Sequence, residues 1–488
     1  MDMLLTALQS LPEYRTLLDY TRERRCAAIT GISQICRSHI IAGLYRHTDK
    51  PIMVICQDDA AAKRLQADLK CFLNIDVPAL CSREFTLFDS SVVSRAWEQK
   101  RLRQLYELAT GNTRLQIMTW DAMSQRTIPP EVLKNAAFTL KTGEQYDPQA
   151  LIEKLIRLGY SRFSMVEGPG QFAVRGGILD IYSPAADRPV RIEFFGDELD
   201  VMGYFDPVTQ RRSDNIDRYT VLPVGETQPR LHQEGISGLC KNISALIAAQ
   251  KRRKFVNDKL IRTLEQDLDK FQNDLSNPAA DRYMAYIYPE FTCTMDYFPA
   301  DCIVAICDHS ALHRTARGAT EAMGMQLDNL LQDGFMAGEL CDFACQWEDF
   351  CQILPTRTTL YLDTFAGSAY PENCPPKTLL PITAKQLPGY GGNLDTAASD
   401  LKHYQKLDFS CLVLCGTRRR AEILQELLRE KGLSAFLAIP LTVQPQPGQI
   451  LLAEGTLPFG MEYPNAKLAI LTEGQLVHRS EPRKKAKK

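Results

Sequence analysis

The chain has 488 residues, which at about 150 residues per domain points to about three domains. It is 45% hydrophobic and 24% charged, with 57 Lys and Arg against 59 Asp and Glu. Those values exclude a mostly disordered chain, a collagen-like fibre, a coiled-coil rod and a globally basic nucleic-acid coat.

From the N-terminus, residues 12–27 read as helix and 27–31 as a short strand running into a glycine turn. Helix is expected over 35–46, an apolar strand over 51–56, an amphipathic helix over 59–72, helix over 100–109 and strand over 115–119. Strands alternating with helices argue a parallel sheet covered on both faces. Residues 136–228 change character. After a short helix at 148–158, strand signals dominate at 171–175, 178–182, 190–194 and 219–222. Val190, Ile192 and Phe194 alternate with polar neighbours, which turns one face inward.

Residues 229–370 return to mixed helix and strand. A long helix is expected over 243–275, with Leu260, Leu264, Leu268, Phe271 and Leu275 on one stripe. A buried strand follows, ending in the acid Asp308. Pro371, Pro375, Pro376, Pro381 and Pro388, ahead of Gly389-Tyr-Gly-Gly392, read as a linker. Residues 389–476 form a small α/β unit, with helices over 394–404 and 418–431 and strands over 412–415, 450–453 and 468–471. Residues 477–488 are a basic tail or linker. The expected fold is therefore α/β. A degenerate P-loop-like parallel-sheet domain (1–135 and 229–370) is split by an inserted β-rich module (136–228), and a small α/β domain follows.

No apolar run approaches the ~18 residues of a bilayer crossing. Asp2 stands where a secretory signal carries Lys or Arg. A cytoplasmic protein with no membrane partner is expected. The fifteen cysteines are odd in number and scattered, many inside apolar runs, which argues against a disulfide framework. Cys341-x3-Cys345 and Cys411-x3-Cys415 lack a second pair at zinc distance, so no metal is expected.

The turn at Gly31 invites comparison with the phosphate loop G-x-x-x-x-G-K-[ST]. Gly31 and Ser38 are in register, but Cys36 replaces the second Gly and Arg37 replaces the Lys. A Cβ and sulfur at position 36 crowd the ring of amides that would cradle phosphate. The matching acidic strand ends in Asp308, yet His309 stands where a Glu would polarise water. No nucleotide cofactor and no catalytic residue is expected. No Ser/His/Asp triad or carboxylate pair is placed by any motif. Lys251-Arg-Arg-Lys254, read as helical, either touches DNA phosphates weakly or is a solvated helix face. Arg483 to Lys488 is either a nucleic-acid contact or a disordered basic linker.

The most specific text is Gln171-Phe-Ala-Val-Arg-Gly-Gly-Ile-Leu-Asp-Ile-Tyr182, then Pro189-Val-Arg-Ile-Glu-Phe-Phe-Gly-Asp-Glu-Leu-Asp200, then Phe205-Asp-Pro-Val-Thr-Gln-Arg211. It resembles the second domain of the UvrB-type module of bacterial nucleotide excision repair, found in UvrB and at the N-terminus of the transcription-repair coupling factor family. UvrB carries an intact phosphate loop, which residues 31–38 lack. Residues 288–308 and 457–473 are similar to the coupling-factor family. The resemblance covers nearly the whole chain and stops where that family begins its polymerase-binding and translocase regions. It implies a recruitment region that docks UvrA and would meet RNA polymerase only through regions absent here. The alternatives are a UvrB-like ATP-dependent damage-processing enzyme and an accessory protein that sequesters UvrA.

The resemblance also implies the docking residues: Arg175, Arg191 and Phe195. Arg191 is opposite in phase to Val190 and Ile192, which places it outward with Glu193 and Phe195. An outward Phe beside an outward Arg suits an interface. The alternative is that Arg191 pairs with Glu193 or Asp180 on a solvated sheet face.

Overall fold

The computed structural model describes residues 2–88, 96–365, 369–441 and 443–476. The basic tail from Arg479 to Lys488 lies outside them. Three large sheets organise the chain.

The first sheet has seven strands, all parallel. Their order is Leu379–Pro381, Ala27–Thr30, Thr358–Leu362, Ile303–Cys307, Ile52–Cys56, Leu115–Thr119, Ala79–Leu80. Four strands come from before residue 120 and three from after residue 300. The central strands are apolar along their whole length because both faces are covered. A period of two is still present. Ile52, Val54 and Cys56 enter one core, while Met53 and Ile55 enter the core on the opposite face.

The intervening chain builds an antiparallel sheet in the order Arg212–Asn215, Glu198–Phe205, Val190–Phe195, Ile178–Ile181, Gln171–Arg175, with Ser161–Arg162 added in parallel. Its inner face packs Phe172, Leu179, Ile181, Val190, Ile192 and Leu199 against the helix Pro148–Arg157. The strands Phe138–Lys141 and Arg218–Val221 pair at the entry and exit of this unit.

The third sheet runs Lys385–Leu387, Gly460–Tyr463, Leu468–Thr472, Ser410–Cys415, Ile450–Glu454, Ala435–Leu437. It shares one core with the first sheet through the helix Gln34–His47, which is buried from Ile35 to Leu44. That helix has no solvated face, so its polar residues must find partners inside.

Three expectations are corrected here. The helix expected over 243–275 is two antiparallel helices, Gly235–Lys251 and Asp258–Gln272. Asn257 caps the second, its side chain accepting from the amides of Lys259 and Leu260. Lys251 ends the first helix, so Arg252, Arg253 and Lys254 lie in the turn rather than on a helix. Leu260, Leu264 and Phe271 are buried, but Leu275 lies beyond the second helix and is exposed. The proline-rich stretch is no free linker either. Leu379–Pro381 pairs along the outer edge of the first sheet and Lys385–Leu387 along the edge of the third. Proline lacks an N–H, and an edge is where a strand tolerates that loss.

The helix expected over 12–27 also stops early, at Arg22. All fifteen cysteines are free. Among the described residues no His, Cys, Asp and Glu group is arranged to hold a metal, and no helix is long and apolar enough to cross a membrane.

Candidate functional site

Two places carry the residues singled out by sequence. The first is the corner where the Ala27–Thr30 strand turns into the Gln34–His47 helix. Only Gly31, Ile32 and Ser33 connect them. Gly31 has a φ of +81°, and an added Cβ would lie 3.0 Å from the carbonyl oxygen of Ile382. The glycine is thus required by the turn and by the neighbouring strand, without any phosphate. Ile32 is fully buried, and Cys36 and Arg37 already belong to the helix. A ring of free amides therefore does not form around positions 31–38.

Arg37 crosses to the acidic strand. Its Nη2 donates to Asp308 Oδ2 at 2.5 Å and to Thr364 Oγ1 at 3.1 Å. Asp308 sits at φ +50° and accepts the Thr364 amide on its other oxygen at 2.9 Å. The two positions that would meet a phosphate and a metal thus neutralise each other. Ser38 Oγ donates to Asp68 Oδ2 at 2.7 Å, and burial pushes the Asp68 carboxyl up to about 6. His309 is buried, stacked on Tyr370, and its Nδ1 lies 3.0 Å from Asp363 Oδ2. The cavity lined by Arg37, Ser38, Asp308 and Thr364 is about 170 Å³, short of the ~300 Å³ at which small-molecule sites begin.

The second place is the outer face of the antiparallel sheet. Cross-strand register puts Arg175 opposite Ile178, Ala173 opposite Asp180, Ile178 opposite Glu193 and Asp180 opposite Arg191. Arg175, Arg191 and Phe195 therefore share one face, as the alternation predicts. Arg175 and Phe195 each end a strand at a two-residue hairpin turn, led by Gly176 and Gly196 at φ +60° and +62°. The two turns are adjacent, since the Phe194 amide donates to the Gly177 carbonyl at 2.9 Å.

The three residues differ in what holds them. Phe195 is 81% exposed, and Ile178 beside it is also exposed. Arg175 is half exposed, its guanidinium 3.7 Å from Asp180. Arg191 is not a free surface cation. Its Nε and Nη2 both donate to Asp180 at 2.8 Å, and Nη1 and Nη2 reach the carbonyl and side-chain oxygens of Gln210 at 3.2 Å. The guanidinium also lies 4.7 Å from the ring centre of Phe205. The Asp180 contacts raise the Arg191 pKa further. Asp180 itself is 1% exposed. Of the two partners open to Arg191, Asp180 is the one adopted, whereas Glu193 pairs with Arg212. Asp180 is buried and Arg191 mostly so, with 18% of its side chain exposed, so the pair is not spread on a solvated face.

Sequence reasoning missed Gln210 and Phe205 as supports of this arrangement. Gln210 has φ +60° and its amide nitrogen donates to the carbonyls of Val166 and Pro207. It ties two loops over one half of the outer face and leaves the Arg175–Phe195 half open. The only local signal was the turn-forming Asp206-Pro-Val-Thr.

Comparisons with known proteins bear on both places. Residues 138–226 match the UvrB interaction domain. The chain is similar to the transcription-repair-coupling factor of Bacillus subtilis (strain 168), at 25% identity over 482 residues, covering 98% of this chain and 40% of that protein. It is likewise similar to the transcription-repair-coupling factors of Staphylococcus aureus (strain MRSA252), 25% identical over 460 residues, and Staphylococcus haemolyticus (strain JCSC1435), 26% identical over 460. Both alignments cover 92% of this chain and 38% of the relative. The chain thus spans about two fifths of the length of these curated relatives. The similarity is consistent with the N-terminal portion of a coupling factor, the resemblance drawn from residues 288–308 and 457–473, and the family-model match covers the UvrB-type text of residues 171–211.

Proposed function

We propose that this chain is a recruitment region for transcription-coupled nucleotide excision repair, and that it docks UvrA through the outer face of its antiparallel sheet. One observation carries the reading. A fully presented phenylalanine, Phe195, stands beside the half-free Arg175 on a face braced by the buried Asp180–Arg191 pair, within the segment that matches the UvrB interaction domain. Arginine and aromatic side chains are enriched among interface anchors. A braced face loses little conformational entropy on docking.

In this reading residues 136–228 are the docking module. Residues 1–135 and 229–370 form its parallel-sheet support, and residues 389–476 a third unit packed against that support. No ATP turnover is assigned to the chain. The Arg37–Asp308 pair and the small cavity weigh against the UvrB-like ATP-dependent alternative.

The test is calorimetric titration of UvrA into the purified chain. Micromolar or tighter binding that Phe195→Ala weakens about thirtyfold or more supports the reading. A parallel titration with Mg-ATP is expected to give no heat beyond dilution.

A further inference from the structure

The tip between the helices Gly235–Lys251 and Asp258–Gln272 is not used by the docking face, and its assignment does not depend on that reading. Nine consecutive residues, Lys251 to Lys259, are exposed. Four of them are the contiguous cations Lys251, Arg252, Arg253 and Lys254. Phe255 follows at 84% exposure, with Val256 also exposed. Two of the cations are engaged, Lys251 with Glu265 at 2.7 Å and Arg253 with Glu339 at 2.6 Å. Among the described residues Arg252 and Lys254 make no ion pair. Lys254 Nζ lies 5.7 Å from the centre of the Phe255 ring. The tip therefore presents one exposed aromatic ring preceded by two cations that make no ion pair among the described residues.

We infer that this tip binds single-stranded nucleic acid, with Phe255 stacking on an unpaired base and Arg252 and Lys254 meeting the flanking phosphates. A phenylalanine held outward at this exposure does nothing for the helix pair's own core, which is filled by Leu239, Ile243, Leu260 and Leu264. Cations alone would serve duplex phosphates, but a duplex hides its base faces, so the aromatic adds nothing there. A protein interface is disfavoured for a different reason: lysine, unlike arginine, is depleted at interface centres, and the cation lying against the Phe255 ring is Lys254. Stacking on a flexible strand between cations is the arrangement of sequence-tolerant single-strand binders.

The experiment uses the full chain and a short oligodeoxythymidylate carrying one central 2-aminopurine, at low ionic strength. The basic residues from Arg479 to Lys488 contain no Phe, Tyr or Trp, so base stacking reads the tip rather than the tail. Binding is expected to quench 2-aminopurine. Phe255→Ala is expected to remove the quench and weaken binding about fivefold or more, and Phe255→Trp to keep both. Combining Arg252→Glu with Lys254→Glu is expected to lower the salt slope by about 1.4, two single-strand phosphates. Unchanged quenching in Phe255→Ala would overturn the inference. So would equal weakening on blunt duplex and single strand, or a Phe255→Ala variant that loses UvrA affinity while binding the oligonucleotide as before.

Discussion

The closed corner of the parallel sheet and the open face of the antiparallel sheet are built around the same chemical unit, an arginine on an aspartate. Arg37 reaches Asp308 across the end of the acidic strand, and the pair occupies the corner beside a cavity of only about 170 Å³. Arg191 reaches Asp180 within the sheet, and the pair fixes a surface whose edge carries Phe195 and Arg175. An ion pair is thus not a functional signature by itself. Its consequence depends on whether it occupies the site or stands behind it.

The largest expected effect lies behind the open face. Asp180→Ala leaves Arg191 without its carboxylate in a mostly buried position, and Arg191→Ala leaves the buried Asp180 with only the half-exposed Arg175 guanidinium, 3.7 Å away. Breaking a buried pair on one side costs about 3–5 kcal/mol. Both variants should show a lowered urea midpoint for the antiparallel unit. Stability within 1 kcal/mol of wild type, on the order of a surface pair, would place the pair on a solvated face instead. Arg191→Ala is accordingly a poor probe of docking, because it changes the fold and the surface together.

The next effect sharpens the closed corner. His39, on the same buried helix as Arg37, lies with Nε2 2.9 Å from the Leu4 carbonyl and Nδ1 2.9 Å from the Tyr463 hydroxyl. The first contact requires an Nε2–H donor, so Nδ1 accepts from the tyrosine. Burial holds its pKa down to about 4. The unfolded chain, with an ordinary value of about 6.5, binds the proton first. Stability from neutral His39 is therefore complete above about pH 6.5 and is lost as pH falls toward 4. Asp68 has the opposite sign. Its raised folded value means that stability is regained as pH falls from about 6. His39→Gln removes only the first contribution. The stability gap between wild type and variant should shrink by up to about 3 kcal/mol from pH 6.5 to 4. A gap that does not change with pH would contradict the neutral, buried assignment.

A smaller effect belongs to the corner's own ion pair. Arg37→Met strands Asp308, whose carboxylate is partly exposed, and should cost about 1–3 kcal/mol. Restoring the motif with Cys36→Gly and Arg37→Lys together should still give no Mg-ATP heat in calorimetry. Ile32 remains in the core and the helix still begins at Gln34. Saturable Mg-ATP binding by that variant would show that the two side chains alone had closed the site.

The two regions also differ in how far they were legible in the sequence. Strands of the parallel sheet stand out because burial on both faces makes them continuous apolar runs, as in 52–56 and 303–307. The outward phase of Arg191 and Phe195 followed from alternation alone. Which acid Arg191 would choose did not. It depends on the register of Ile178–Ile181 against Val190–Phe195 across the 182–189 connection, and no local signal sets that register. The break at 252–257 was hidden because the leucine stripe of the second helix keeps helical spacing with residues upstream of it, although Asn257 is a usable cap signal. Leu379–Pro381 was hidden for the reverse reason. Proline argues against a central strand, and the strand that forms there is an edge.

The most direct test of the account is the UvrA affinity of Phe195→Ala and Arg175→Ala against wild type, with melting followed in the same samples. Both side chains are half exposed or more, so melting should be unchanged. Phe195→Ala is expected to lose about 2 kcal/mol or more of binding, roughly thirtyfold, and Arg175→Ala to lose less but measurably. Binding by both variants within twofold of wild type, with melting intact, would contradict it and place the docking surface elsewhere on the chain.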